Sequence, residues 1–210
     1  YMFNNPPGTS AEMDIAKMLA KNELIEDLSD DSFSVFRQVR AGLAHFSSDP
    51  SFAQGQLAAS AVISLALKPH ILHVVGFSEG DHAIEPEELI QSCKIAHGVL
   101  HNTLYGMPDL TDNKRVTDRR DELKSEAGVL LDELRRRYSS KCDDPWTDPD
   151  SISEAIRTGL LDTPHFNRNQ YLCGRITTRL IDGAWYAIDR ETGNRITESE
   201  RIKAAKLWQE

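Results

Sequence analysis

Cysteine is scarce. The 210 residues hold three, Cys93, Cys142 and Cys173, odd in number and widely spaced. That pattern excludes a disulfide framework and points to a reducing compartment, so a cytoplasmic protein is expected. No apolar run approaches the roughly 20 residues of a transmembrane helix. The opening YMFNNPPGTS has no basic region and no apolar core, so no signal peptide is expected there. Positive charge is in deficit: 24 Lys and Arg against 33 Asp and Glu leave a net charge of −9. Nothing in that balance favours nucleic acid or an anionic membrane as partner. The phosphate loop GxxxxGK[ST], a GxGxxG after a strand, the GxSxG elbow and the HExxH zinc helix are all missing. There is no internal repeat and no low-complexity segment.

What is present centres on KPHILHVVGFSEGDHAIEPEELIQSCKIAHGVL, residues 68–100. Ile71, Leu72, Val74 and Val75 predict a buried strand over 70–77. A polar loop over 78–85 follows, carrying Glu79, Asp81 and His82. Pro86 suits the first helical position, and Glu87 and Glu88 suit the positive end of a helix dipole, so a helix is predicted over 86–105. Ligands of α/β proteins sit at the carboxyl ends of parallel strands, which makes this loop a natural site.

Upstream, the chain opens at Tyr1 in what reads as a loop, Asn4-Asn5-Pro6-Pro7-Gly8, and a fragment or cleaved chain is expected on that ground. Thr9 or Ser10 can cap a helix over 11–28. SFSVFRQV predicts a strand over 32–39, and the Ala- and Leu-rich residues 51–67 a buried helix. Alternation of strand and helix up to residue 105 favours parallel βαβ units. The composition then shifts. Residues 113–138 form a charged amphipathic helix with Leu123, Val129, Leu130 and Leu134 on its stripe. A linker over 141–149 and a short helix over 151–161 follow. Asp182-Gly183 between alternating runs signals a hairpin, a second turn is expected at 192–194, and a helix closes the chain over 198–209. The division is thus 1–110, βα units, and 111–210, an α+β tail.

Three constellations carry possible chemistry. Glu79, Asp81 and His82 can hydrogen-bond a ligand hydroxyl or amine or do acid–base work; equally, they are a solvated loop at a helix start. Arg40, near Arg37 at the end of the 32–39 strand, can hold a carboxylate with two parallel hydrogen bonds; most arginines so placed are structural. His97 and His101, one helical turn apart, with His70, His73 and His82, raise a metal-dependent hydrolase, but no further ligand pattern completes them. Cys93 reads as a core residue, and Trp185-Tyr186 as hairpin packing.

The order of parts resembles a known family. HILHVVGFSEGDHAI followed by PEELIQSCKIAHGVL is similar to the last strand–helix units of the large (epsilon) chain of cobalamin-dependent glutamate mutase, also called methylaspartate mutase. DSFSVFRQVRAGLAHFSSDPSFAQGQLAASAVISLAL resembles that family's preceding strand, loop and helix. GLLDTPHFNRNQYLCGRITTRLIDGAWYAIDRETGNRITESE resembles its C-terminal tail, best over Leu161-Asp162-Thr163-Pro164-His165-Phe166. The resemblance implies the C-terminal part of a TIM-type (β/α) barrel followed by an α+β tail. It implies adenosylcobalamin shared with a separate small cobalamin-binding subunit, and a radical rearrangement of glutamate to 3-methylaspartate or of a related acid. Glu79 matches the family's glutamate beside the adenosyl group, which makes it the catalytic candidate. Gly76, Glu79, Asp81 and His82 become cofactor-binding candidates, and Arg40 a substrate-binding one. Where the family has K-T-P-H-E-A, this chain has Gly76-Phe77-Ser78-Glu79-Gly80, without the lysine; its H-Q-W-M-G-G loop is here Val39-Arg40-Ala41-Gly42-Leu43-Ala44.

Two readings follow. The first is an isomerase component completed by the small subunit and by a missing N-terminal barrel half or a second copy, so an oligomer is expected. The second is a non-catalytic barrel-fragment module for interaction or structure, because an open part-barrel leaves strand edges unpaired.

Overall fold

A computed structural model describes residues 1–5, 8–164 and 169–207. Among them, six helices and five strands form a mixed α/β chain, and no sheet closes into a barrel. No helix among them is long and apolar enough to cross a membrane. The chain divides into two compact units, residues 1–121 with 182–184, and residues 122–181 with 185–210.

The first unit is built on three parallel strands in sequential order, β1 (Met2–Asn4), β2 (Gln38–Ala41) and β3 (Ile71–His73). Helices α1 (Ala11–Glu26), α2 (Pro50–Leu65) and α3 (Pro86–Thr103) follow them in turn. Each start has a local cause. Ser10 accepts the Met13 N–H ahead of α1, and Asp49 accepts those of Ser51 and Phe52 ahead of α2. Glu85 and Glu88 form a reciprocal capping box ahead of α3, with Pro86 in its first turn.

The strand register sorts the side chains onto two faces. Met2 lies opposite Val39, and Val39 opposite Leu72. This face packs on helices: Met2 and Val39 cluster with Ile15, Met18 and Ile63, while Ala41 and Val75 cluster with Ala53, Leu57 and Phe77. Phe3 lies opposite Arg40, and Arg40 opposite His73, on the other face. There Tyr1, Phe3 and Ile71 are each about half exposed (53, 46 and 49%).

Three expectations need correction. The chain opens on a strand, not a loop: β1 is too short to give a periodic signal, yet it pairs with β2 at Met2–Val39. The second strand is Gln38–Ala41, not 32–39. Asp30 accepts the N–H groups of Ser32 and Phe33 and folds that stretch into a turn, leaving Phe33 and Phe36 exposed. The third strand stops at His73, not 77, because its only ladder partner, β2, pairs no further than Arg40–His73. Val75 and Phe77 are buried all the same, as loop residues.

The second unit holds most of α4 (Lys114–Tyr138), α5 (Pro149–Arg157), most of the β4 (Thr178–Ile181)–β5 (Ala184–Ala187) hairpin and α6 (Glu198–Leu207). Its core gathers Leu134, Tyr138, Ala155, Leu160 and Ile202. Buried Arg201 forms an ion pair with Glu198 at 2.5 Å and donates to the Gly159 and Leu160 carbonyls. The short helix ends at Arg157, before the expected 161, with Thr158 as its cap. The hairpin turns where Asp-Gly places it. Asp182 and Gly183 both have positive φ (48° and 81°), the left-handed pair of a tight hairpin turn.

Candidate functional site

The carboxyl ends of the three strands feed the segments that matter: Asn5–Ser10 after β1, residues 42–49 after β2 and 74–85 after β3. The first is pinned by Asp14, a buried acid of α1. Its Oδ2 accepts the Asn5 N–H at 2.7 Å and the Thr9 hydroxyl at 2.5 Å, and Lys17 meets Oδ1 at 2.7 Å. Asn4, fully buried, donates to Ser60 O and Ser64 Oγ and accepts from the Ser60 hydroxyl.

The loop after β3 is self-bonded. Gly76 N–H donates to Glu79 Oε1 at 2.5 Å, and Glu79 N–H returns to Gly76 O at 3.2 Å. A Cβ on Gly76 would collide with Ile84 Cδ1 and crowd Glu79 Oε1, so glycine is required for this approach. Glu79 is exposed, with one carboxylate oxygen held by the backbone and its charge facing solvent. His82 stands between two acids, Nδ1 at 3.0 Å from Asp81 and Nε2 at 3.2 Å from Glu88. Glu88 in turn accepts the Ser78 hydroxyl at 2.7 Å and the Glu85 N–H at 2.9 Å. The bond to Asp81, then that to Glu88, raises the His82 pKa above its ordinary 6.5. The Glu85 N–H, then the Ser78 hydroxyl, lowers that of Glu88.

Arg40 lies on the uncovered sheet face. Its guanidinium carbon is 5.6 Å from the Tyr1 ring centroid and 6.0 Å from that of Phe3. Nη1 donates to Ala41 O, Nε is buried without a partner, and no carboxylate pairs with it. Two further buried polar atoms lack partners at this edge of the sheet, Asn5 Oδ1 and His45 Nδ1. Sequence reasoning missed both. Asn5 follows a strand too short to read, and His45 sits in a loop without any motif. Arg37, by contrast, is structural: it forms an ion pair with Glu26 at 2.9 Å and donates to Lys68 O.

The structure therefore brings Gly76 to Glu79, and Asp81 to His82, in one loop. Among the described residues no bond or ion pair joins these to Arg40. The other imidazoles do not gather. His70 accepts from Arg37 N–H, His73 is bonded to Tyr1 and Gln38, and His97 and His101 are exposed on α3. Among the described residues no group of three or more His, Cys, Asp or Glu could hold a metal ion. Cys93 is exposed, not core, because α3 buries the face of Ser92 and Ala96 instead. In the tail run that best matches the mutase family, His165 and Phe166 lie outside the described residues.

No family model matches the chain, and no curated protein is similar to it.

Proposed function

We propose that the chain is a component of an adenosylcobalamin-dependent carbon-skeleton mutase of the glutamate mutase type, its first unit forming a segment of a (β/α) barrel. One observation carries this reading. Three sequential parallel strands are covered by their helices on one face only, with Arg40 and two aromatics on the other. Parallel sheets are normally covered on both faces. Doubly wound sheets achieve that with helices on both sides, whereas a barrel keeps its helices outside and turns the other face inward. The resemblance in sequence adds the chemistry to the geometry.

The donor and acceptor set at the carboxyl edge fits one wall of such a cofactor. Glu79 offers carboxylate charge toward the hydroxyl groups of an adenosyl moiety, and Asn5 Oδ1 and His45 Nδ1 are polar atoms still without partners. When bound, the cofactor supplies radical hydrogen abstraction by homolysis of its cobalt–carbon bond. This chain's own residues position and shield. Gly76 N–H fixes the Glu79 carboxylate, the Asp81–His82–Glu88 chain stiffens the loop beneath it, and Arg40 presents an unpaired cation to a substrate carboxylate. The small subunit supplies cobalt's lower ligand in this reading, since the D-x-H-x-x-G pattern is absent here. The test is anaerobic addition of adenosylcobalamin to the chain with its small partner and its completing barrel strands, then an isomerase assay on glutamate and related acids. A spectral change with turnover, weakened by Glu79→Gln, is expected. No spectral change with a full barrel would sink the proposal.

A second reading rests on the same bare face. The chain is a non-catalytic module whose uncovered sheet docks another chain. Glu79 then serves only to close its own loop on Gly76. Stable capture of a completing chain without any cobalamin response favours it.

A further inference from the structure

Helix α3 carries more apolar surface than its unit covers. Its buried side is marked by Ser92 and Ala96, with Ile95, Val99 and Thr103 beside them. At 100° per residue, a neighbouring arc collects Leu89, Ile90, Cys93, His97, Leu100 and Leu104. All six are exposed: Leu89 by 43%, Ile90 by 55% and Leu104 by 61%. None carries a full charge, although 27% of the chain is Asp, Glu, Lys or Arg. Leu89, Cys93, His97, Leu100 and Leu104 follow steps of four, four, three and four, a seam about 22 Å long at 1.5 Å per residue.

We infer that this seam is a self-association surface, with a second copy of the chain lying antiparallel along it. The charge distribution selects that occupant. Two copies of a chain with net charge −9 repel wherever acids face each other, and this arc presents none. The acids of α3 are confined to its start, Glu87 and Glu88, while its last turn holds His101 and no acid. An antiparallel pair sets each acidic turn beside an acid-free one and opposes the two helix dipoles; a parallel pair sets acid on acid. A two-fold axis between Ala96 and His97 then brings Leu89 of one copy to Leu104 of the other, and Cys93 to Leu100, an isologous contact. One helical arc per copy is smaller than the roughly 800 Å² per partner of a standard interface, so the pairing is concentration-dependent. This inference stands apart from the cofactor reading, since α3's arc is not on the strands.

Sedimentation of the 210-residue chain across a hundredfold concentration range tests it. The weight-average mass should rise from one chain mass, 23.6 kDa, toward twice that value. Leu100→Glu, or Ile90→Lys should the first fail to fold, should hold it at one, with helix content and melting unchanged. L89E and L104K chains should each remain single and pair when mixed, because those positions face each other across the axis. A single mass throughout overturns the proposal. So does a dimer untouched by the α3 variants, or one dissolved instead by Phe3→Glu on the bare sheet face.

Discussion

The two faces of the three-stranded sheet share every backbone atom and differ in all else. On one, Met2, Val39 and Ala41 are sealed by α1 and α2, Val39 with no exposed surface at all. On the other, one residue along each strand, Phe3, Arg40 and His73 form a row facing out. The first face is assembled for stability, because burying each large apolar side chain contributes about 1.5–3 kcal/mol. The second contributes little, and its cation, aromatics and bonded imidazole are what a ligand or a further layer would meet. The lesson lies in the period of two. A strand can hold the fold with one set of residues and keep the alternate set for another task.

That contrast can be broken by mutation. The largest effect is expected from Ile15→Ala, which opens a cavity against the sealed face and should cost about 2–5 kcal/mol in chemical denaturation. Asp14→Ala should come next, at about 2–3 kcal/mol, because the Asn5 N–H and Thr9 hydroxyl lose a buried acceptor; urea midpoints read it directly. Asp49→Ala, which removes the cap of α2, should cost about 1 kcal/mol on the same assay. Phe3→Ala on the open face should change stability by about 0.5 kcal/mol or less. A loss there as large as that of Ile15→Ala would mean the face is covered in solution.

The smallest effect concerns pH. His82 has a raised pKa in the folded chain, so its contribution is fully present below about 6.5, the ordinary imidazole value. It is lost as pH rises through the raised folded value. A proton NMR titration of the His82 ring should give a midpoint above 6.5, lowered by Asp81→Asn more than by Glu88→Gln, in the order of their bonds. A midpoint at or below 6.5 would remove the acid–imidazole–acid link from the loop.

Much of this was legible from local chemistry. Ser10, Asp49 and the Glu85–Glu88 box mark helix starts, Asp182-Gly183 marks the hairpin, and alternation to residue 105 marks parallel βα units. The candidate loop was also placed correctly after the third strand, with Glu79, Asp81 and His82 in it. Each of those signals acts within a few residues, through a cap, a turn or a periodic face, and needs no distant partner. Other features depend on distant partners and were not legible. Whether Val75 is strand or loop depends on how far β2 extends beside it. Whether Cys93 is core or surface depends on which arc of α3 meets α2. That Asn5 and His45 keep polar atoms unpaired follows only from what surrounds them after folding.

The sequence by itself determined the helices, their caps, the hairpin turn and the parallel alternation, because propensity and short-range hydrogen bonds decide them. Tertiary structure alone decided that the sheet is covered on one side. Period-two patterning separates two faces but does not say which one the helices will occupy. That choice is made when α1, α2 and α3 all pack against Met2, Val39 and Ala41, leaving Arg40 uncovered between Phe3 and His73.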